Sequence, residues 1–156
     1  LVSVDHQPAT ILENVISAGT VVSVSLSGFH VVSKAPVDAI TLQVGHGVVG
    51  DCHGGETVQH LSRIRRDPTQ PNLRQVHLIQ AELFAEVAGE GCDVRAGELG
   101  ENVTTSGIDL LALPTATTLR LGAVAAVQVT GLRNPCVQIN GVHDGLLGLV
   151  VGRDDR

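Results

Sequence analysis

Aromatic side chains are nearly absent from this chain: its 156 residues include two Phe and no Trp or Tyr, and Met is missing as well. The core therefore has to be built from aliphatic residues, and base-stacking platforms for nucleic acid are excluded. Basic residues are scarce too, ten against sixteen acidic ones for a net charge of -6, and RIRR at 63–66 is the only basic cluster. Without a basic stripe, no nucleic-acid partner is expected. RIRR reads as a solvated loop face, with anion binding as the alternative. No apolar run approaches the roughly 20 residues of a transmembrane helix, so no membrane span is expected. The three cysteines, Cys52, Cys92 and Cys136, cannot all pair within one chain, and no signal-peptide pattern opens the sequence. Reduced thiols in a cytoplasm are the expectation.

Glycine, by contrast, is abundant, with 18 residues, and implies many tight turns. The length suits one domain that buries roughly two thirds of its unfolded surface. Residues 1–19 have weak helical spacing through Ile11, Leu12, Val15 and Ile16 and read as an N-terminal arm. From Thr20 the period becomes two. Val22, Val24 and Leu26 alternate with serines, and Ile40, Leu42 and Val44 with Thr41 and Gln43, predicting two half-buried strands. Glycine-rich GHGVVGDCHGG and a polar segment to Asn72 follow, a loop long enough to imply a role. A strand is predicted over 74–80, with Val76 and Leu78 on one face and Gln75 and His77 on the other. One helix is predicted over Gln80–Ala88, with Leu83, Phe84 and Val87 as its apolar stripe and Gly89 as its cap. Short extended pieces resume after it, and their spacing suggests a barrel or sandwich.

Several motifs invite chemistry. GHGVVG at 45–50 matches the dinucleotide fingerprint, but the following Asp51-Cys52-His53-Gly54-Gly55 is a poor helix start, which leaves only a backbone nest for an anion. Cys52, His53, His60, His77 and Cys136 supply zinc donors without the close pairs of structural zinc sites, so locally hydrogen-bonded histidines are favoured. Glu98 and Glu101 in GELGENVTTSG suit an acid–base pair or ordinary turn roles. Cys136 stands out. Pro135 stiffens its approach, and period two would place Val137 and Ile139 in the core and Cys136, Gln138 and Asn140 on the opposite, polar face. Arg133 could stabilise a thiolate there, which matters because a free thiol with a pKa of about 8.5 is only slightly ionised at neutral pH. An inert small hydrophobe is the competing reading.

GDCHGG at 50–55, LRQVHLI at 73–79, GELGENVTTSGIDLLAL at 97–113 and GLRNPCVQIN at 131–140 occur in the order found in MOSC domains, named after the C-terminal domain of molybdenum cofactor sulfurase. The chain resembles that family, in its stand-alone bacterial form, from about Thr20 to Asn140. The resemblance implies a mainly β fold, a barrel of the pyruvate-kinase type with one short helix and a long glycine-rich loop. It also implies the molybdenum cofactor, molybdopterin, with Cys136 ligating molybdenum or carrying persulfide sulfur. The matched segments make Arg133, Asn134, Asp51, His53, Gly54, Glu101 and Asn102 pocket candidates, and Arg74 and Lys34 are further cations expected near an anionic pterin phosphate. The family is associated more loosely with pyridoxal phosphate. The implied activity is redox or sulfur-transfer chemistry on a small molecule, such as reduction of N-hydroxylated compounds, with a separate electron-donor or cofactor-delivery protein. A non-catalytic cofactor or sulfur carrier is the alternative. Family members continue beyond the segment matching GLLGLVVGRDDR, so residues 20–156 read as a MOSC domain shortened at its C-terminal end. An exposed edge strand near Gly145–Val151, and hence a possible homodimer, is expected from this. Cys52 replaces a commonly small residue.

Overall fold

The structure, a computed structural model, describes residues 18–151. Most of the expected arm lies outside them. The strands are β1 (Thr20–Leu26), β2 (Ala35–Val37), β3 (Leu42–Gln43), β4 (Gly47–Val48), β5 (Leu78–Gln80), β6 (Val103–Ser106), β7 (Thr118–Leu121) and β8 (Ala125–Gln128). The helices are α1 (Leu61–Arg66), α2 (Glu82–Gly89), a 3-10 turn over Val137–Gly141, and α3 (Leu146–Val151). The fold is mainly β with few helices, as the alternation predicts. Its main sheet has the order β2-β1-β6-β5, antiparallel except between β5 and β6, and β3-β4 and β7-β8 form separate pairs. No closed barrel exists among the described residues, because neither hairpin pairs with the four-stranded sheet.

The β1 alternation is inverted relative to expectation: Ser25 is buried at 1% exposure while Val22 is 52% exposed. A bulge between Val21 and Ser23 shifts the register, and the serine end of the strand meets a polar hub. There the Ser25 N–H donates to the Asn102 carbonyl, and the Asn102 side-chain amide donates to the Ser25 carbonyl.

Helix α2 forms as the sequence predicts but stops differently. Gly91 takes a φ of 87°, and the amides of Gly91 and Cys92 donate to Ala88 and Val87 carbonyls. This left-handed closure uses Gly91 rather than Gly89. The helix buries Val87 in a cluster with Cys92, Val94, Leu99, Ile139 and Leu146. Leu146 belongs to α3. The expected exposed edge strand at Gly145–Val151 is therefore replaced by a helix, whose residues Leu146, Leu149 and Val150 share a face at helical spacing and pack on that cluster. Complete burial of an aliphatic side chain such as Leu146 stabilises the fold by roughly 1.5–3 kcal/mol.

The long polar segment also contains structure. Helix α1 occupies RIRR and its neighbours, on an excursion closed by an isolated bridge between Thr57 and Pro71 and by the Val58 N–H donating to the Gln70 carbonyl. This closure returns the chain from α1 to the loop that carries Arg74.

Candidate functional site

Asp51 is the centre of a saturated buried hub. Its Oδ2 accepts from Lys34 Nζ at 2.7 Å, from the Asn102 amide at 2.9 Å and from the Ser27 N–H at 3.2 Å, and its Oδ1 accepts from the His53 N–H at 2.9 Å. Both charged side chains are essentially inaccessible, at 0% and 1% exposure. Burial alone would raise the Asp51 carboxyl, but hydrogen bonds from His53 and Lys34 prevail and hold it well below the usual carboxylate range. Burial lowers Lys34 from its ordinary value, against the pull of Asp51. The two charges thus cancel inside the protein.

This hub takes up several residues singled out from the sequence. Lys34, Asp51, Glu101 and Asn102 are all buried, and none of them lines the cleft described below. Glu101 Oε1 accepts from the Gly97 N–H at 2.6 Å and from the Thr104 hydroxyl at 3.0 Å. Gly97, at a φ of 89°, leaves no room for a Cβ beside the Lys34 carbonyl. Gly54 is packed as closely, since a Cβ there would lie 2.6 Å from His46 Nε2. The backbone nest expected at 45–55 is not open: the amides of Asp51, Cys52, His53, Gly54 and Gly55 donate to protein acceptors.

In front of the hub lies a cleft of about 440 Å³ whose basic wall is Arg63, Arg74 and Arg133, with His53 and His60 beside them. The three guanidiniums come from α1, from the turn after Asn72, and from the segment after β8. Arg74 is placed by its N–H donating to Asn72 Oδ1 at 3.0 Å. Among the described residues, no carboxylate forms an ion pair with any of the three; the ion pairs are Lys34–Asp51, His53–Asp51 and Arg95–Asp93. Burial lowers Arg133 from its ordinary value, and Arg74 is lowered by burial and by its cationic neighbours Arg63 and Arg133. His60 is likewise lowered, by burial and then by Arg133 and Arg74. The cleft is electropositive on an otherwise acidic chain.

Cys136 lies in the adjoining open depression, which Arg133, His53 and His77 also line. It is half-buried and free, and its thiol donates to Gln138 Oε1 at 3.6 Å. The polar company expected of it is present, but the strand is not: Cys136 has extended dihedrals and precedes the 3-10 turn. Ile139 is buried as predicted, while Val137, expected in the core, is 66% exposed. A tight turn cannot keep alternate residues on one side. Asn134, next to Pro135, is exposed and outside the cleft wall. Both Cys136 and Cys52 act electrostatically on Arg133. The Cys52 thiol, 3.2 Å from His53 Nδ1, is pushed up by burial and by Asp51.

Asp51, Cys52 and His53 place one donor atom each within 4.8 Å of one another. Asp51 is already committed to Lys34 and three N–H donors, so the trio is a poor metal site. Cys92, whose sulfur lies 3.0 Å from His143 Nδ1, belongs to the apolar cluster around Val87 and lines neither the cleft nor the depression. Two residues, Arg63 in the cleft and His77 in the adjoining depression, were not among the pocket candidates drawn from the sequence. Arg63 was readable as one charge in RIRR, where anion binding was the alternative to a solvated face, and His77 as a residue on the polar face of a strand and one of five scattered zinc donors.

The MOSC domain family matches residues 50–153, and this chain belongs to that family. Its fold is similar to that of the YuaD protein from Bacillus subtilis, with a TM-score of 0.70 and 24% identity over 83% of this chain and 74% of that one. It is also similar to a solved structure described as a hypothetical protein, with a TM-score of 0.62 and 21% identity, over 88% of this chain and 57% of that one. No curated protein matches the chain. No described helix is long and apolar enough to cross a membrane.

Proposed function

We propose that this MOSC protein binds the molybdenum cofactor, with Arg63, Arg74 and Arg133 holding its anionic phosphate and the Cys136 thiolate available to molybdenum or to persulfide sulfur. The observation that carries the reading is the set of three guanidiniums without carboxylate partners around one cleft, beside a half-buried free thiol. The donor set fits the group: guanidiniums match phosphate in planar, charge-assisted geometry, and thiolate is a soft ligand. When bound, the cofactor would supply two-electron redox or sulfur-transfer chemistry.

The chain's own residues have separate tasks in this reading. Arg133 faces the anion and interacts electrostatically with Cys136. His53 lines the cleft wall and is anchored on Asp51, which makes its imidazole the candidate to exchange a proton with a bound small molecule. The hub of Lys34, Asp51 and Asn102 fixes that wall without adding net charge. The four-stranded sheet is taken as one wall of the family's barrel. The activity proposed is reduction of an N-hydroxylated small molecule, R–NHOH with two electrons and two protons giving R–NH2 and water, the electrons coming from a separate donor protein in a reducing cytoplasm. The alternative is a carrier that holds cofactor or sulfur and passes it on. Protein from a cofactor-producing host, assayed with a chemical electron donor and an N-hydroxylated substrate, separates these: turnover with stoichiometric molybdenum supports the enzyme, molybdenum without turnover supports the cofactor carrier, and protein with neither molybdenum nor persulfide sulfur contradicts both.

A further inference from the structure

We propose that His77 is a positioning residue for the anion site: its unprotonated Nδ1 accepts a hydrogen bond from Arg133 and aims that guanidinium into the cleft without neutralising it. The role rests on the reading of the cleft as an anion site, but not on the identity of the cofactor.

Arg133 Nη1 lies 2.9 Å from His77 Nδ1. A guanidinium has donors and no acceptor, so this nitrogen of the ring must be the acceptor and its proton must sit on Nε2. The Gly100 carbonyl, 3.3 Å from the same nitrogen, then has no proton to receive from it. The ring is neutral as well, since a protonated imidazole would present N–H to N–H. Burial, followed by the neighbouring Arg133 charge, pushes the imidazole down to about 3, in agreement with that geometry.

The residue is held through its backbone. The His77 N–H donates to Asn102 Oδ1 at 3.2 Å, and its carbonyl accepts from the Asn102 N–H at 2.8 Å and the Val103 N–H at 3.1 Å. Asn102 in turn donates to Asp51, so the buried hub and the arginine are mechanically connected through His77. The choice of residue has a physical logic. A carboxylate at this place would hold Arg133 more tightly but cancel its charge toward an anion, whereas a cation would repel it. A neutral acceptor orients the group and leaves its charge for the ligand.

Two measurements test this on the full chain. First, long-range 1H–15N correlation on histidine-labelled protein near neutral pH should show His77 as the neutral Nε2–H tautomer; an Nδ1–H tautomer or a charged ring overturns the proposal, even if every variant misfolds. Second, inorganic phosphate binding is measured by calorimetry for wild type, His77→Asn and His77→Leu. Asparagine carries an oxygen near the Nδ1 position, so H77N should keep affinity within about threefold, whereas H77L should lose about tenfold, the scale of one hydrogen bond to a charged group. Equal losses in both variants, no loss in H77L, or no phosphate binding by wild type contradicts the proposal. Because phosphate is the probe, a chain that binds it as described but never acquires molybdenum would refute the cofactor reading and leave this one standing.

Discussion

Lys34 and Arg133 are two cations within electrostatic range of one another, and they are used in opposite ways. Lys34 is sealed against Asp51, whose other hydrogen-bonding positions are taken by Ser27, His53 and Asn102. Arg133 meets no carboxylate among the described residues and leans on a neutral histidine. One region is polar and saturated, the other polar and unsatisfied. A saturated hub fixes shape, while an unsatisfied cluster of like charges costs stability and is retained where a ligand supplies the missing charge.

Mutations should separate the two regions sharply. The largest effect is expected from Asp51→Ala, which strands the buried Lys34 ammonium and should cost about 3–5 kcal/mol in denaturant unfolding. A loss below about 1 kcal/mol, the range of an exposed pair, would dissolve the contrast. Arg133→Ala should do the reverse, leaving stability unchanged or slightly raised while phosphate affinity falls about tenfold or more, because a charge-assisted contact is lost and repulsion from Arg63 and Arg74 is relieved. If R133A unfolds the protein as readily as D51A does, the cleft is structural and not a binding site.

Acid should act on the regions in sequence. His77 sits at about 3 in the folded chain, against about 6.5 when unfolded, so between these values the unfolded state binds more protons. Stability from this group is complete above about pH 6.5 and declines as pH falls toward 3. Asp51, also depressed on folding, keeps its contribution above its unfolded value of about 3.9 and loses it only below that. Unfolding free energy followed from pH 7 to 4 should therefore fall less steeply in His77→Asn than in wild type. Parallel profiles would remove His77 from the account.

The smallest effect expected is kinetic. Limited iodoacetamide labelling read by mass spectrometry should modify Cys136 first, Cys52 more slowly because burial and Asp51 raise its thiol, and Cys92, at 2% exposure, only on unfolding. Early labelling of Cys92, with Cys136 protected, would make Cys136 the inert thiol.

Local pattern carried much of the fold. The stripe of Leu83, Phe84 and Val87 identifies α2, alternation identifies β1, and the short extended pieces after the helix correspond to β6, β7 and β8. It failed where polar tertiary contacts override the period. Ser25 turns inward because Asn102 waits there, an interaction between residues remote in sequence. Helix α1 has no apolar stripe and depends on the Thr57–Pro71 closure, so RIRR gave no helical signal. Gly145–Val151 is apolar enough for a strand or a helix, and the cluster around Val87 selects the helix. For the site, the sequence identified Cys136, Arg133, Arg74 and His53 as candidates, all of which line the cleft or its adjoining depression. It could not distinguish them from Asp51, Lys34 and Asn102, because a motif does not show which of its polar groups already satisfy one another, or from Glu101, whose burial against Gly97 and Thr104 is a tertiary fact.

The central claim is that the unpaired arginines and Cys136 together hold the molybdenum cofactor. Molybdenum and pterin should be quantified side by side in wild type, Cys136→Ser and Arg133→Ala purified from a cofactor-producing host. The account predicts both in wild type, loss of molybdenum or of bound sulfur with much of the pterin retained in C136S, and loss of both molybdenum and pterin in R133A. Wild-type protein that is folded yet free of both, or an R133A variant as fully loaded as wild type, would contradict it.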